Sequence, residues 1–169
     1  SDRRSSPIMG TFSTGALPED IASLNLAAVG TSTIDLILAD YRTSTSTGLL
    51  AMDDRGEIVW YLDWSSKLTG SPGPGPVLQR SDYSLVTVPI GYGLVEFSPL
   101  GTIERKILNS ETGLFHHDLR ELSDGSIIAV VDLNTTFDLS TSGLGTKELV
   151  SAPAIRKINF ATGEDQILW

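Results

Sequence analysis

Leu49-Leu50-Ala51-Met52-Asp53-Asp54-Arg55-Gly56-Glu57-Ile58-Val59-Trp60 reads as two alternating apolar runs joined by a turn that ends in glycine. Side chains alternate between the two faces of a strand, so a period of two on both sides of a Gly turn encodes a β-hairpin. The pattern returns in Leu94-Val95-Glu96-Phe97-Ser98-Pro99-Leu100-Gly101-Thr102-Ile103-Glu104 and in Ile155-Arg156-Lys157-Ile158-Asn159-Phe160-Ala161-Thr162-Gly163-Glu164-Asp165-Gln166-Ile167-Leu168-Trp169. Gly56 and Gly101 stand 45 residues apart and Gly101 and Gly163 stand 62 apart, so the third unit carries an insertion. A hairpin recurring every ~40–50 residues is the sequence signature of β-propeller blades. The expectation is an all-β chain of about three four-stranded antiparallel blades. A blade cannot bury its faces alone and three blades rarely close a ring, so the unit is expected to be part of something larger.

Composition agrees with an all-β class. The 169 residues are 40% hydrophobic and 20% charged, with 16 Gly and 8 Pro punctuating short aromatic and β-branched runs. One short helix is expected within Pro18–Leu24. A net charge of −9 disfavours phosphate backbones and anionic membranes, so nucleic acid is excluded as a partner. The chain has no cysteine, hence no disulfide and no thiolate metal site. No apolar run approaches the ~20 residues of a membrane span. The start, Ser1-Asp2-Arg3-Arg4-Ser5-Ser6-Pro7, lacks an initiator Met and an apolar signal core and reads as a processed or trimmed end.

Residues 1–32 read as a lead-in with a strand near Leu24–Val29, and 33–169 as blades at about 33–63, 76–108 and 116–169. Ile34–Ala39 reads as a strand. Prolines at 72, 74 and 76 mark an extended connector, because proline cannot donate to a ladder. In a blade with strands a to d, the a–b and c–d turns share one rim. Here they are the tight turns Ser81–Ser84, Ser123–Gly125, Asp53–Gly56, Ser98–Gly101 and Ala161–Gly163. The long connections, Tyr41–Gly48, Asp63–Gly75, Pro89–Gly93, Asn109–Phe115 and Leu133–Ala152, all fall on the opposite rim. Function concentrates where long loops are held by a rigid scaffold, so that rim is the expected functional face.

Both histidines are adjacent, in Gly113-Leu114-Phe115-His116-His117-Asp118-Leu119-Arg120, entering the third unit from the long-loop rim. Residues of this kind at a blade start often only tie neighbouring strands together. They can also orient an imidazole as base or nucleophile. Regular alternation puts His116, Asp118 and Arg120 on one side and His117, Leu119 and Glu121 on the other, which argues against a shared role and against a metal site. Arg42, on the same rim, is a candidate oxyanion binder or a solvated surface residue. Tyr41 and Tyr92 either stack on an aromatic substrate or pack a loop. Asp53-Asp54-Arg55-Gly56 lacks the spaced ligands of a calcium loop and reads as a turn. Asn134-Thr135-Thr136 matches the N-glycosylation triplet.

His116-His117-Asp118-Leu119-Arg120-Glu121-Leu122-Ser123-Asp124-Gly125-Ser126 resembles the HHD-x-x-x-L-x-[DN]-G stretch of the bacterial arylsulfotransferase family. The hairpin from Met52 through Gly56 to Trp60 and Tyr61 is similar to that family's blade pattern, as are Thr162-Gly163-Glu164 with Trp169 and the segment Phe12–Pro18. The resemblance covers most of residues 11–169. It implies a six-bladed propeller, of which this chain is the N-terminal half, moving a sulfuryl group from an aryl sulfate to a phenol through a channel histidine, without a cofactor. It implies catalytic roles for His117, His116 and Asp118, with His117, which directly precedes Asp118, as the better match. Substrate binding, read from place on the rim and not from the resemblance, falls to Arg42, Tyr41 and Tyr92. The family draws several histidines from around the ring whereas this chain has two side by side, so the nucleophile is expected on a further blade. A second chain or second copy is then needed to complete the ring, and the family places the protein in the periplasm or outside the cell. The competing reading is a non-catalytic propeller that serves as a binding or assembly module.

Overall fold

The computed structural model describes residues 16–24, 26, 35–70, 72–98, 100–110 and 113–169. The lead-in expected over 1–32, its strand near Leu24–Val29 and the segment from Phe12 fall largely outside them. Among the described residues the regular secondary structure is almost wholly strand. Three antiparallel meanders, each wound in chain order, make propeller-like blades.

The first sheet holds β1 (Ile37–Arg42), β2 (Thr47–Met52) and β3 (Ile58–Asp63). The second holds β4 (Val77–Gln79), β5 (Leu85–Thr87), β6 (Gly93–Phe97) and β7 (Ile103–Leu108), and the third β8 (Leu114–Glu121), β9 (Ile127–Phe137), β10 (Glu148–Asn159) and β11 (Glu164–Ile167). A single-turn helix α1 (Glu19–Ala22) precedes them, inside the segment expected to be helical.

The sheets stack face to face. Leu49, Leu62, Trp64 and Leu68 from the first sheet and its exit pack against Leu85, Tyr92, Val95 and Phe97 of the second. Val86, Val88 and Leu94, on the opposite face of the second sheet, meet Phe115, Leu119, Ile127, Ala129 and Val131 of the third. The middle sheet is therefore covered on both sides, and every residue of β6 is buried. Helix α1 closes the free face of the first sheet through Ile21, Tyr41 and Leu50. Asp20 fastens it there, accepting hydrogen bonds from the hydroxyls of Thr43, Thr45 and Ser46 in the β1–β2 turn. These bonds hold its carboxyl well below the usual range. Between sheets, β1 touches β4, and β4 and β6 touch β8, so the leading strands gather on one side.

Glu96 is the polar centre of the second interface. It is 1% exposed and is paired with Arg80 and, at 3.0 Å, with Arg105. Arg80 also bonds Glu121 at 2.8 Å and the Gly125 carbonyl at 2.9 Å, both from the third sheet. A buried carboxylate is tolerated only when paired and hydrogen-bonded in this way.

Several expectations are corrected. The strand expected over Ile34–Ala39 runs instead over Ile37–Arg42, so Tyr41 and Arg42 sit on β1, paired with Gly48 and Thr47, and the rim loop shrinks to the residues between the strands. The insertion at Leu133–Ala152 is half ladder: Leu133 pairs with Ala152 and Phe137 with Glu148, leaving 138–147 as the loop. The proline connector is extended as expected but does not stand free. The Pro76 and Pro74 carbonyls accept from Val88 and Ile90 at 3.3 and 3.4 Å, so the prolines continue the sheet as acceptors only. Close backbone approach explains Gly93: with φ at +137°, an added Cβ would lie 2.1 Å from the Ile107 carbonyl oxygen.

Candidate active site

The expected site lies where β8 begins. The Asn109 carboxamide accepts the Phe115 N–H at 2.9 Å and fixes the strand entry, and Arg156 lies over the Phe115 ring at 5.1 Å. From the tight turn upward the β8–β9 ladder is regular, pairing Glu121 with Ile127 and Leu119 with Ala129. It then slips. Phe115 pairs with Val131, so His116, His117 and Asp118 together stand opposite the single residue Val130. His117 absorbs the extra length with φ at 61°, a left-handed conformation that costs a non-glycine residue free energy.

This bulge overturns the expected alternation. The two imidazoles are not on opposite faces; their rings meet edge to face with centroids 4.6 Å apart. The argument that opposite faces preclude a metal therefore falls, but no group of three or more potential ligands converges among the described residues. Bulges commonly re-aim side chains beside functional sites, and this one gathers both histidines of the chain at one point.

His116 is the more enclosed of the two. Its Nε2 lies 3.0 Å from Asp132 Oδ1 on β9, with 25% and 38% of the two side chains exposed. The contact is at ion-pair distance but off the N–H axis. Both ring nitrogens are thus buried without an aligned hydrogen bond among the described residues. His117 is exposed. Asp118, the carboxylate adjacent in sequence, turns to its own strand and accepts the Leu119 N–H at 2.8 Å. A shallow cavity of about 200 Å³ opens beside the bulge, lined by Asp118, Arg120, Ile128, Val130 and Ile155.

The other expected site residues are elsewhere. Arg42 is exposed at the end of β1, two sheets away from β8. Tyr41 and Tyr92 are packed into the core clusters rather than presented on the rim. Burial pushes the Tyr41 phenol up to about 12; its hydroxyl makes no aligned hydrogen bond, and the Ser46 hydroxyl that would favour the phenolate is committed to Asp20.

Asp132 is the residue that the sequence reading missed. Its signal was present, since a carboxylate interrupts the apolar run Ile127–Leu133, and counting outward from the Ser123–Gly125 turn at constant register sets it opposite His116.

The family model described as Arylsulfotransferase (ASST) matches residues 26–164. No curated protein matches the chain.

Proposed function

Since this chain belongs to the arylsulfotransferase family, we propose that it supplies blades of a periplasmic or extracellular propeller enzyme that moves a sulfuryl group from an aryl sulfate to a phenolic acceptor by way of a histidine. The observation that carries the reading is the bulge that brings His116 and His117 together at the head of β8, the strand nearest the neighbouring sheet.

In this chemistry an imidazole nitrogen attacks sulfur, the aryl oxygen–sulfur bond breaks, and the donor leaves as a phenolate. The acceptor phenol then passes its proton through a basic group of the site to the departing donor phenolate, its oxygen attacks the sulfur, and the sulfur–nitrogen bond breaks to restore the histidine. Charge on the sulfuryl oxygens is met by N–H and guanidinium donors. His117 contributes from the channel side, whereas Arg42, two sheets away from β8, is too distant to share that sulfuryl group. Since the histidine is regenerated, the cycle calls for no cofactor. Tyr41 and Tyr92 have no part in this proposal.

The cavity beside the bulge, at about 200 Å³, is smaller than the ~300–1,000 Å³ of typical small-molecule pockets, which supports a site completed by further blades. The third sheet also leaves large apolar groups in water, Trp169 being 77% exposed and Leu168 and Ile167 about half so. Such a face suits burial against another sheet, from more of the same polypeptide or from a second copy.

The test is a two-substrate assay on the complete protein. Phenol release from a chromogenic aryl sulfate should depend on an added phenol, and the sulfated acceptor should accumulate in step. Release without acceptor dependence would make the protein a sulfatase, and no release would remove the catalytic reading.

A further inference from the structure

We propose that Asp132 is the positioning residue of His116: it holds the proton of the neutral imidazole on Nε2 and leaves Nδ1 as an unsatisfied acceptor for a phenolic O–H. The inference rests on the sulfuryl-transfer reading for its substrate, but not for its geometry.

The two nitrogens of a neutral imidazole differ, one donating and one accepting, and the partner of one decides the role of the other. Asp132 Oδ1, at 3.0 Å, is the acceptor beside Nε2. Both ring nitrogens are buried, and a buried N–H without an acceptor is costly. The carboxylate therefore selects the tautomer that donates from Nε2. The approach is off the N–H axis in this structure, and contacts of this kind are often poorly aligned until substrate binds. Nδ1 then carries a lone pair with no donor among the described residues. A sulfuryl group offers only acceptor oxygens and cannot satisfy it, whereas the O–H of a phenol can. His116 is thereby assigned to the phenol and not to the sulfuryl oxygens. Asp118 cannot supply this control, because its Oδ1 accepts the Leu119 N–H.

Ring nitrogen-15 spectra of the complete protein, at a pH where the imidazoles are neutral, test the tautomer directly, with His116 and His117 distinguished by a His117→Gln variant. His116 should be fixed with Nε2 protonated in the wild type, should relax to a mixture in Asp132→Ala, and should stay largely fixed in Asp132→Asn, which keeps an acceptor oxygen. An unchanged His116 tautomer in Asp132→Ala overturns the inference whether or not the protein transfers sulfuryl groups. In the two-substrate assay Asp132→Ala should lower kcat/KM for the phenol by roughly 10- to 100-fold while leaving KM for the aryl sulfate near wild type. That is less than the ~10⁴ of a fully aligned tautomer-fixing carboxylate, because this pair is partly exposed. A loss on the donor side only would also overturn it. Absence of transfer in the wild type would remove the sulfuryl reading, with the spectra still deciding the tautomer.

Discussion

Glu96→Ala is expected to destabilise the protein by about 3 kcal/mol, the lower end of the ~3–5 kcal/mol seen when one partner of a buried ion pair is removed. The structure sets the figure. Glu96 is 1% exposed and holds Arg80, 12% exposed, and Arg105, 44% exposed. Removing it leaves the Arg80 charge in the interface with one carboxylate fewer. Glu121 and the Gly125 carbonyl still bind Arg80, which keeps the loss from reaching the upper end. Arg105 returns to solvent at little cost, so Arg105→Ala should lose under about 1 kcal/mol. Urea unfolding of the complete protein measures both, as a change in midpoint at constant slope. A Glu96→Ala loss within ~0.5 kcal/mol, the range of ordinary surface substitutions, would refute the claim that this cluster ties the second sheet to the third.

Tyr41→Phe should match wild-type stability at pH 7 or exceed it by up to about 1 kcal/mol, since the buried hydroxyl it removes has no aligned partner. Its pH dependence is more telling. The folded state holds the phenol protonated up to about 12 against an ordinary value of 10.0, so this group's stabilisation is complete below pH 10 and is lost as pH rises from there toward 12. Alkaline unfolding curves should show that loss in the wild type and not in Tyr41→Phe, and an equal loss in both would contradict the assignment. Gly93→Ala should lose on the order of 3 kcal/mol, from positive φ and from a Cβ set 2.1 Å from the Ile107 carbonyl oxygen; a melting temperature near wild type would mean that β6 and β7 can part freely.

What the sequence carried was periodicity. Alternation about Gly56, Gly101 and Gly163 located the outer hairpins, because a strand with one buried face must repeat with a period of two and a tight turn must supply a left-handed residue. All three glycines have positive φ. What it could not carry was any departure from the period. The two extra residues within His116–Asp118 leave no mark in composition, so a regular count puts the imidazoles apart when the ladder slips and joins them. Glu96 was hidden for a related reason. On an alternating run a carboxylate reads as solvent-facing, and only the stacking of a third sheet shows that both faces of β6 are covered. The Leu133–Ala152 insertion read as loop because its polar residues do not alternate strongly. Its ladder is held by pairing along an exposed arm, which hydrophobic patterning does not report.

The central claim is that the paired imidazoles at the head of β8 serve sulfuryl transfer and not merely the packing of the third sheet. The most direct measurement compares the complete wild-type protein with its His117→Ala variant, reading transfer from an aryl sulfate to a phenol beside the melting temperature of each. The His117 side chain is exposed and its backbone strained, so its removal should leave the melting temperature close to wild type. A positioned imidazole is worth roughly 10²–10⁴ in rate, so transfer should fall by about 100-fold or more. Transfer near the wild-type rate together with a lowered melting temperature would contradict the account and make His117 a structural residue.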